Sequence, residues 1–135
     1  MNLILIINFN IMDRNYDLDP RTIKFAGKII TFCNSIPNNF AGLHLKGQLI
    51  KSGTSPALNY GEAQGAESKN DFIHKMGICL KELRESKNCL KVLHEVKYGD
   101  ENLRLELLQE SIELTRIFAS IIVKTRNNRG NNPKN

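Results

Sequence analysis

Three cysteines and three histidines are the residues of this sequence that could bind a metal ion. A zinc site would combine Cys79 and Cys89 with His74 and His94, since structural zinc takes four such ligands. However, residues five apart on a helix, such as His74 and Cys79, point about 140° apart around its axis. We therefore expect no metal site and no other cofactor. The odd number of cysteines, with Cys33 as the third, favours buried free thiols in a reducing cytoplasm.

The stretch "KSGTSPALNYGEAQG" is rich in glycine and serine and could cradle a phosphate or carry a nucleophile. A phosphate-binding P-loop would need glycine before Lys51, where the sequence has Ile50. The "GTSPA" segment resembles the G-x-S-x-G turn around a catalytic serine, but Ala57 replaces its last glycine and no strand precedes it. We therefore interpret Ser55 as a helix cap and not as a nucleophile.

Two glutamates, Glu82 and Glu85, invite comparison with the carboxylates of di-iron bundles. Those proteins need a Glu-x-x-His motif on each of two helices, and here the second position is another glutamate. A solvated charged face is the better interpretation.

Among the polar features of the sequence, the clustered basic residues give the strongest indication that the protein binds a ligand. The net charge is +5 at pH 7, and the last twelve residues hold four basic side chains and no acidic one. Clustered lysines and arginines attract phosphate backbones by releasing counterions. The predicted nucleic-acid-binding residues lie on the outer side of the third predicted helix and in the tail: Lys81, Arg84, Lys87, Lys91, Lys124, Arg126 and Arg129.

Four helical segments must position these residues. The first begins with Asp19 as N-cap and Pro20 at the first helical position, and Pro37 ends it. Its wide apolar face predicts a core position, and that face comprises Ile23, Phe25, Ala26, Ile29, Ile30, Phe32, Cys33 and Ile36.

The third segment, from Ser68 to about Tyr98, has the clearest periodicity in the chain. Its apolar positions follow an unbroken heptad register, which comprises Phe72, Met76, Cys79, Leu83, Ser86, Leu90 and Leu93. Gly99 suits a left-handed residue after a helix, and Asp100 can cap a fourth helix over about Glu101 to Arg126. The predicted buried face of that helix comprises Leu107, Leu108, Ser111, Leu114, Thr115, Phe118, Ile121 and Ile122.

The second segment, Asn39 to Gln64, is a poor helix by composition. Its four glycines and Pro56 oppose helix formation by roughly 7 kcal/mol, so close packing must compensate. We expect a helix that is kinked at Pro56, or one that breaks there with Ser55 capping a new segment. Its predicted buried stripe comprises Leu43, Gly47, Ile50, Thr54, Ala57 and Gly61, with Leu49 and Tyr60 beside it.

These segments predict an all-α protein, an antiparallel up-and-down four-helix bundle over residues 19–126. Residues 127–135 form a basic polar tail. Residues 1–18 are expected to be an extension that is disordered or that includes a wrongly assigned translation start. In the second case we expect translation to begin at Met12. The opening "MNLILIINFNIM" is too short to span a membrane, so we expect no membrane contact. The apolar faces are wide enough to predict self-association.

The chain resembles a bacterial four-helix-bundle family encoded in intervening sequences of large-subunit (23S) ribosomal RNA genes. The likeness runs from about Asp19 to Arg126 and rests on "SGTSPALNYGEA", "DFIHKM" and "KELRES". It implies a ring, commonly a pentamer, without established enzymatic activity. More distantly, the chain is similar to the accessory variability determinant of diversity-generating retroelements, which binds a reverse transcriptase and nucleic acid. Asn59 and Glu62 carry over from the motif, and we interpret them as a buried hydrogen bond linking helices.

Three functions are compatible with this sequence. The first is a non-enzymatic, self-assembling bundle that binds RNA, DNA or a nucleoprotein partner through its basic surface. The second is a structural module that binds another protein. The third is a small-molecule or phosphoester enzyme near Asn59 and Glu62.

Overall fold

The computed structural model describes residues 17–128, which form four helices: α1 (Leu18–Cys33), α2 (Phe40–Gln64), α3 (Lys69–Glu95) and α4 (Glu101–Asn127). Within this range there is no strand, as the sequence predicts. The hypothesis of a start at Met12 concerns residues outside the described range, and so does most of the predicted tail. None of the described helices combines the length and apolarity that crossing a membrane requires.

The helices run up and down, each antiparallel to the next. The end of α2 meets the start of α3, where Glu62 pairs with Lys75. The start of α1 meets the middle of α4, where Arg21 pairs with Glu110. The four-helix bundle is therefore confirmed.

Short polar side chains cap three of the helices. Asn39, Ser68 and Asp100 each accept a hydrogen bond from the backbone N–H three residues later, at 2.8, 3.0 and 2.8 Å respectively. This geometry satisfies an amide that the helix itself leaves unpaired. The predicted cap of α4, Asp100, is thus confirmed.

The start of α1 differs from the prediction. The N-cap position belongs to Asp17, and Asp19 and Pro20 lie inside the first turn. Leu18 is buried in the core, so beginning the helix there brings an extra apolar side chain to the interior. The end of α1 at Cys33 comes before Pro37.

Helix α2 runs without interruption through Pro56, whose ring is buried. The predicted break, with Ser55 capping a new segment, is therefore wrong. Close packing explains the continuity: a Cβ atom added at Gly53 would lie 2.8 Å from both γ carbons of Ile29 on α1. Because that glycine has no side chain, the two helices approach closely enough to bury α2 despite its composition.

The buried face of α2 is not the predicted stripe. Leu43 and Ile50 are exposed, and on α1 Ile23 and Ile30 are exposed as well. The reason is the rotation of α2 around its axis, because the smallest side chains face the neighbouring backbones where space is least. The residues of α2 that are buried are Gly42, Leu49, Ser52, Gly53, Pro56, Tyr60 and Ala63.

All four helices contribute side chains to the core, and the heptad residues of α3 form one side of it. Every predicted heptad position of α3 is buried, which confirms that register. At the centre, the rings of Tyr60 and Phe118 meet edge to face with 5.8 Å between their centroids. On the predicted face of α4, Leu108 and Thr115 are only half-buried, and the others are buried.

A buried arginine fixes the turn between α3 and α4. The guanidinium of Arg104 is 1% exposed and donates to the carbonyl oxygens of Tyr98 and Gly99, at 2.8 and 3.0 Å, and to Nδ1 of His94, at 3.2 Å. Gly99 has the left-handed φ of 82° that the sequence predicts. The carbonyl end of α3 is partly negative, which stabilises the buried cation.

Candidate nucleic-acid interface

The contacts of α3 determine which of its sides faces each neighbour. Its contacts with α2 come from Cys79 and Ser86, which approach Pro56 and Ser52. Its contact with α4 comes from His94. An α-helix has 3.6 residues per turn. These contacts therefore show which way each of the remaining positions of α3 points.

Three predicted basic residues lie on the α4 side of α3. Lys87 lies one heptad before His94. Arg84 lies three residues before Lys87, and Lys91 lies four residues after it. Residues at these spacings are neighbours on one side of a helix. Lys69 lies five full turns before Lys87 and therefore on the same side. Sequence reasoning missed Lys69, although its spacing of eighteen residues was a usable signal.

Helix α4 adds one basic residue to this surface. Arg126 lies about six turns after Arg104 and within about 40° of it around the axis, and Arg104 contacts α3. Since α3 and α4 are antiparallel, Arg126 lies near the start of α3. We call the resulting surface the basic face, and it comprises Lys69, Arg84, Lys87, Lys91 and Arg126.

Two other predicted residues lie elsewhere. Lys81 points about 120° away from Lys87 and about 140° away from both Ser86 and His94, so it points to solvent between the α2 and α4 sides of α3. Lys124 lies within about 20° of Glu113, whose carboxylate contacts α1. Arg129 lies outside the described residues.

Acidic side chains are kept away from the basic face along most of its length. Glu82 and Glu85 lie on the α2 flank of α3, and Lys51 of α2 contributes to the electrostatic environment of Glu82. Glu106, Glu110 and Glu113 face α1. Acids adjoin the basic face only at its end beside the α3–α4 turn, where Glu95 and Glu101 lie.

The basic face is free of internal ion pairs. Within residues 17–128 the ion pairs join Arg21 to Glu110 and Glu113, Lys28 to Glu106, and Lys75 to Glu62. None involves a residue of the basic face, so its charges are available to an anionic ligand. From Lys69 to Lys91 the face is about 33 Å long, which suits an extended phosphate backbone.

The basic face lacks aromatic side chains among the described residues. The aromatic rings of α2, α3 and α4 nearest to it, Tyr60, Phe72 and Phe118, are buried in the core. Base stacking on exposed rings is the usual way to bind single strands in addition to charge. The face is therefore suited to contact phosphates and not to read bases.

The cysteines are structural. All three are buried, and burial raises the pKa of Cys33 and Cys89 to about 11 and that of Cys79 to about 12. The thiols of Cys79 and Cys89 donate to the carbonyl oxygens of Pro56 and Leu45, each at 3.6 Å. Residues 17–128 contain no group of three or more His, Cys, Asp or Glu side chains placed to hold a metal ion.

The two motif positions Asn59 and Glu62 do not form the predicted buried link. The amide of Asn59 donates to the carbonyl and hydroxyl oxygens of Ser55 in its own helix, at 3.0 and 2.8 Å. Glu62 is exposed and pairs with Lys75 of α3 at 3.0 Å, and this contact raises the pKa of Lys75. The two motif residues therefore make one contact within α2 and one contact between α2 and α3, and not a single buried link.

The buried hydrogen bond between helices is made by two serines. Ser52 of α2 and Ser86 of α3 are fully buried, and their hydroxyl oxygens lie 3.0 Å apart. Ser86 also lies 2.9 Å from the carbonyl oxygen of Glu82. The small size of both side chains lets α2 and α3 approach closely.

A shallow cavity of about 350 Å³ lies between α1 and α4. Phe25 and Leu107 line its floor, and Lys24 and Lys28 stand opposite Glu106 and other acids of α4. Lys28 pairs with Glu106 across it. The paired charges of its walls bind the two helices to each other.

The chain matches the family model described as 23S rRNA-intervening sequence protein over residues 14–120. It is also similar to a crystal structure from Bacteroides thetaiotaomicron, described as a protein with unknown function from the S23 ribosomal protein family. The two share 30% sequence identity with a TM-score of 0.71, over 77% of this chain and 96% of the other. A comparison with curated proteins finds no match.

Proposed function

The chain belongs to the family of 23S rRNA-intervening sequence proteins, and we propose that it is a self-assembling helical bundle that binds nucleic acid through the basic face. The observation that carries this proposal is the alignment of Lys69, Arg84, Lys87, Lys91 and Arg126 on one side of the bundle, without ion-pair partners among residues 17–128. The lack of exposed rings there favours binding that is insensitive to base sequence. The resemblance to the family implies a ring of five copies.

Each basic side chain of this face would neutralise a phosphate and release a counterion. Such contacts supply most of the affinity of sequence-independent binding. The separation of acids to other faces supports this role, because an acid beside a lysine would compete with the phosphate for it. The similarity to the accessory protein of retroelements remains a prediction.

The proposal is tested by removing two positive charges from the basic face and, in a control, two from other surfaces. We expect the double variant Lys87→Gln and Lys91→Gln to bind a labelled single-stranded RNA oligonucleotide more weakly. The slope of log K against log salt should become shallower by about 0.7 for each lysine. The control is Lys24→Gln with Lys51→Gln, which removes the same charge from exposed positions on other faces. Fluorescence anisotropy gives both affinities.

Equal loss of affinity in the two double variants would contradict the proposal. A protein partner that is retained after nuclease treatment, and by both variants, would favour the structural protein-interaction module instead. The enzyme alternative has less support from the geometry, because Asn59 is bonded to its own helix and Glu62 to Lys75.

A further inference from the structure

The outer surface of α1 and α2 carries five large apolar side chains that no part of the described chain covers. Ile30 lies about 160° around α1 from Lys28, which pairs with α4. Likewise Ile50 lies about 160° around α2 from Ser52, which contacts α3. Both positions therefore point outward beside the α1–α2 contact. We call this surface the apolar face, and it comprises Ile23, Ile30, Leu43, Ile50 and Leu58.

The side chains of the apolar face are exposed to an extent that a soluble surface rarely shows in one patch. Leu58 is 71% exposed, Ile23 56% and Leu43 55%. The face includes half of the ten large exposed apolar side chains within residues 17–128. Two lysines of α2 adjoin this face, because Lys51 lies within about 20° of Leu58 around the helix axis and Lys46 within about 40° of Ile50. No acidic residue occurs from Ile23 to Ile30 or from Leu43 to Gly61.

Glycines alternate with these large side chains. A Cβ atom built at Gly27, Gly47 or Gly61 would have no neighbouring atom within 4 Å, so these positions are open hollows. Ridges of isoleucine and leucine beside hollows are the surface relief through which helices pack against each other. The relief suits another rigid helical surface better than a flexible peptide.

The size of the apolar face matches a contact between folded copies. Leu43 to Gly61 spans about 27 Å along α2, and two adjacent helices are about 20 Å wide. Each copy would therefore bury about 500 Å², and two copies about 1,000 Å², which reaches the lower limit of specific protein interfaces.

From these observations we propose that the apolar face is the surface on which a second copy of this chain docks. The inference rests on the self-association in the proposed function and assigns it to a surface. The basic face lies on the α3–α4 side, away from this contact, so association leaves it accessible in every copy.

Light scattering on the full chain at micromolar concentration tests the assignment. We expect the wild type to have a mass that is a multiple of 15.3 kDa. The double variant Ile30→Glu and Leu43→Glu should fall to one chain, because association would bury two charges against an apolar surface. Both substituted residues are exposed, so the helical circular dichroism should be unchanged.

The matched control is Val123→Glu, since Val123 is 53% exposed and lies on α4, which contributes no residue to the apolar face. It should keep the wild-type mass. A double variant that keeps the wild-type mass would overturn the assignment while leaving the proposed self-association intact. A wild type that is monomeric would overturn both, and RNA binding, measured in parallel, would still decide the role of the basic face.

Discussion

Within residues 17–128, the buried side-chain oxygen and nitrogen atoms have hydrogen-bond partners, with one exception. The hydroxyls of Ser52 and Ser86, the thiol of Cys79 and the guanidinium of Arg104 all have hydrogen-bond partners on a neighbouring element or turn. The exception is Oε2 of Glu82, which is buried and has no hydrogen-bond partner among the described residues. A carboxylate oxygen in that position costs free energy, because it has lost its water.

The protonation of Glu82 should therefore be linked to stability. Burial raises its pKa above the ordinary value of 4.5, and the nearby carboxylate of Glu85 raises it further. An acid whose pKa is higher in the folded chain favours folding below its unfolded pKa, and this contribution is lost as the pH rises through the folded pKa. We expect Glu82→Gln to be more stable than the wild type at pH 7.

The gain should be less than about 1 kcal/mol, since Glu82 is partly exposed and solvent screens it. It should shrink as the pH falls toward 4.5, where the wild-type carboxyl becomes protonated. Urea unfolding at a series of pH values measures both proteins. A difference that stays the same at every pH would show that the carboxylate charge is not the cause.

At the scale of helices, the sequence predicts α3 and α4 well and the buried face of α2 poorly. In α3 the core positions are large apolar residues in heptad register, such as Phe72 and Leu83, and this periodicity is visible in the sequence. In α2 the buried positions include Ser52, Gly53 and Pro56, whose burial depends on how closely α1 and α3 approach. That distance is a property of the assembled bundle, and no local pattern encodes it.

The close approach of α1 and α2 predicts opposite effects for two glycine substitutions. Gly53→Ala would push a methyl group against the branched, buried side chain of Ile29 at 2.8 Å, and we expect it to destabilise the fold by about 1 to 3 kcal/mol. Gly77→Ala on α3 meets no atom within 4 Å. It should stabilise the fold by up to about 1 kcal/mol, because alanine favours a helix.

Guanidinium unfolding of the two variants and the wild type measures these effects. Gly77→Ala serves as the control for the gain in helix propensity that both substitutions share. An equal increase in stability for both variants would contradict the close packing of α2 on α1.

For the whole molecule, the bundle separates three kinds of surface around its axis. The basic face lies along α3 and α4, the apolar face along α1 and α2, and ion pairs join α1 to α4. The spacing along α3 indicates that Lys69 lies on the side of Lys87, but the sequence does not indicate that Arg126 of α4 lies beside them. That depends on the rotation of α4 relative to α3, which the packing of the core sets.

The proposed role of the basic face is tested most directly by the salt dependence of RNA binding. If five basic residues each neutralise one phosphate, log K should fall with log salt at a slope of about −0.7 per contact for single-stranded RNA. We therefore expect the affinity of the wild-type protein to drop about 100-fold between about 50 and about 200 mM salt. Failure to retain RNA at the lower salt concentration, or an affinity that does not change with salt, would contradict the account.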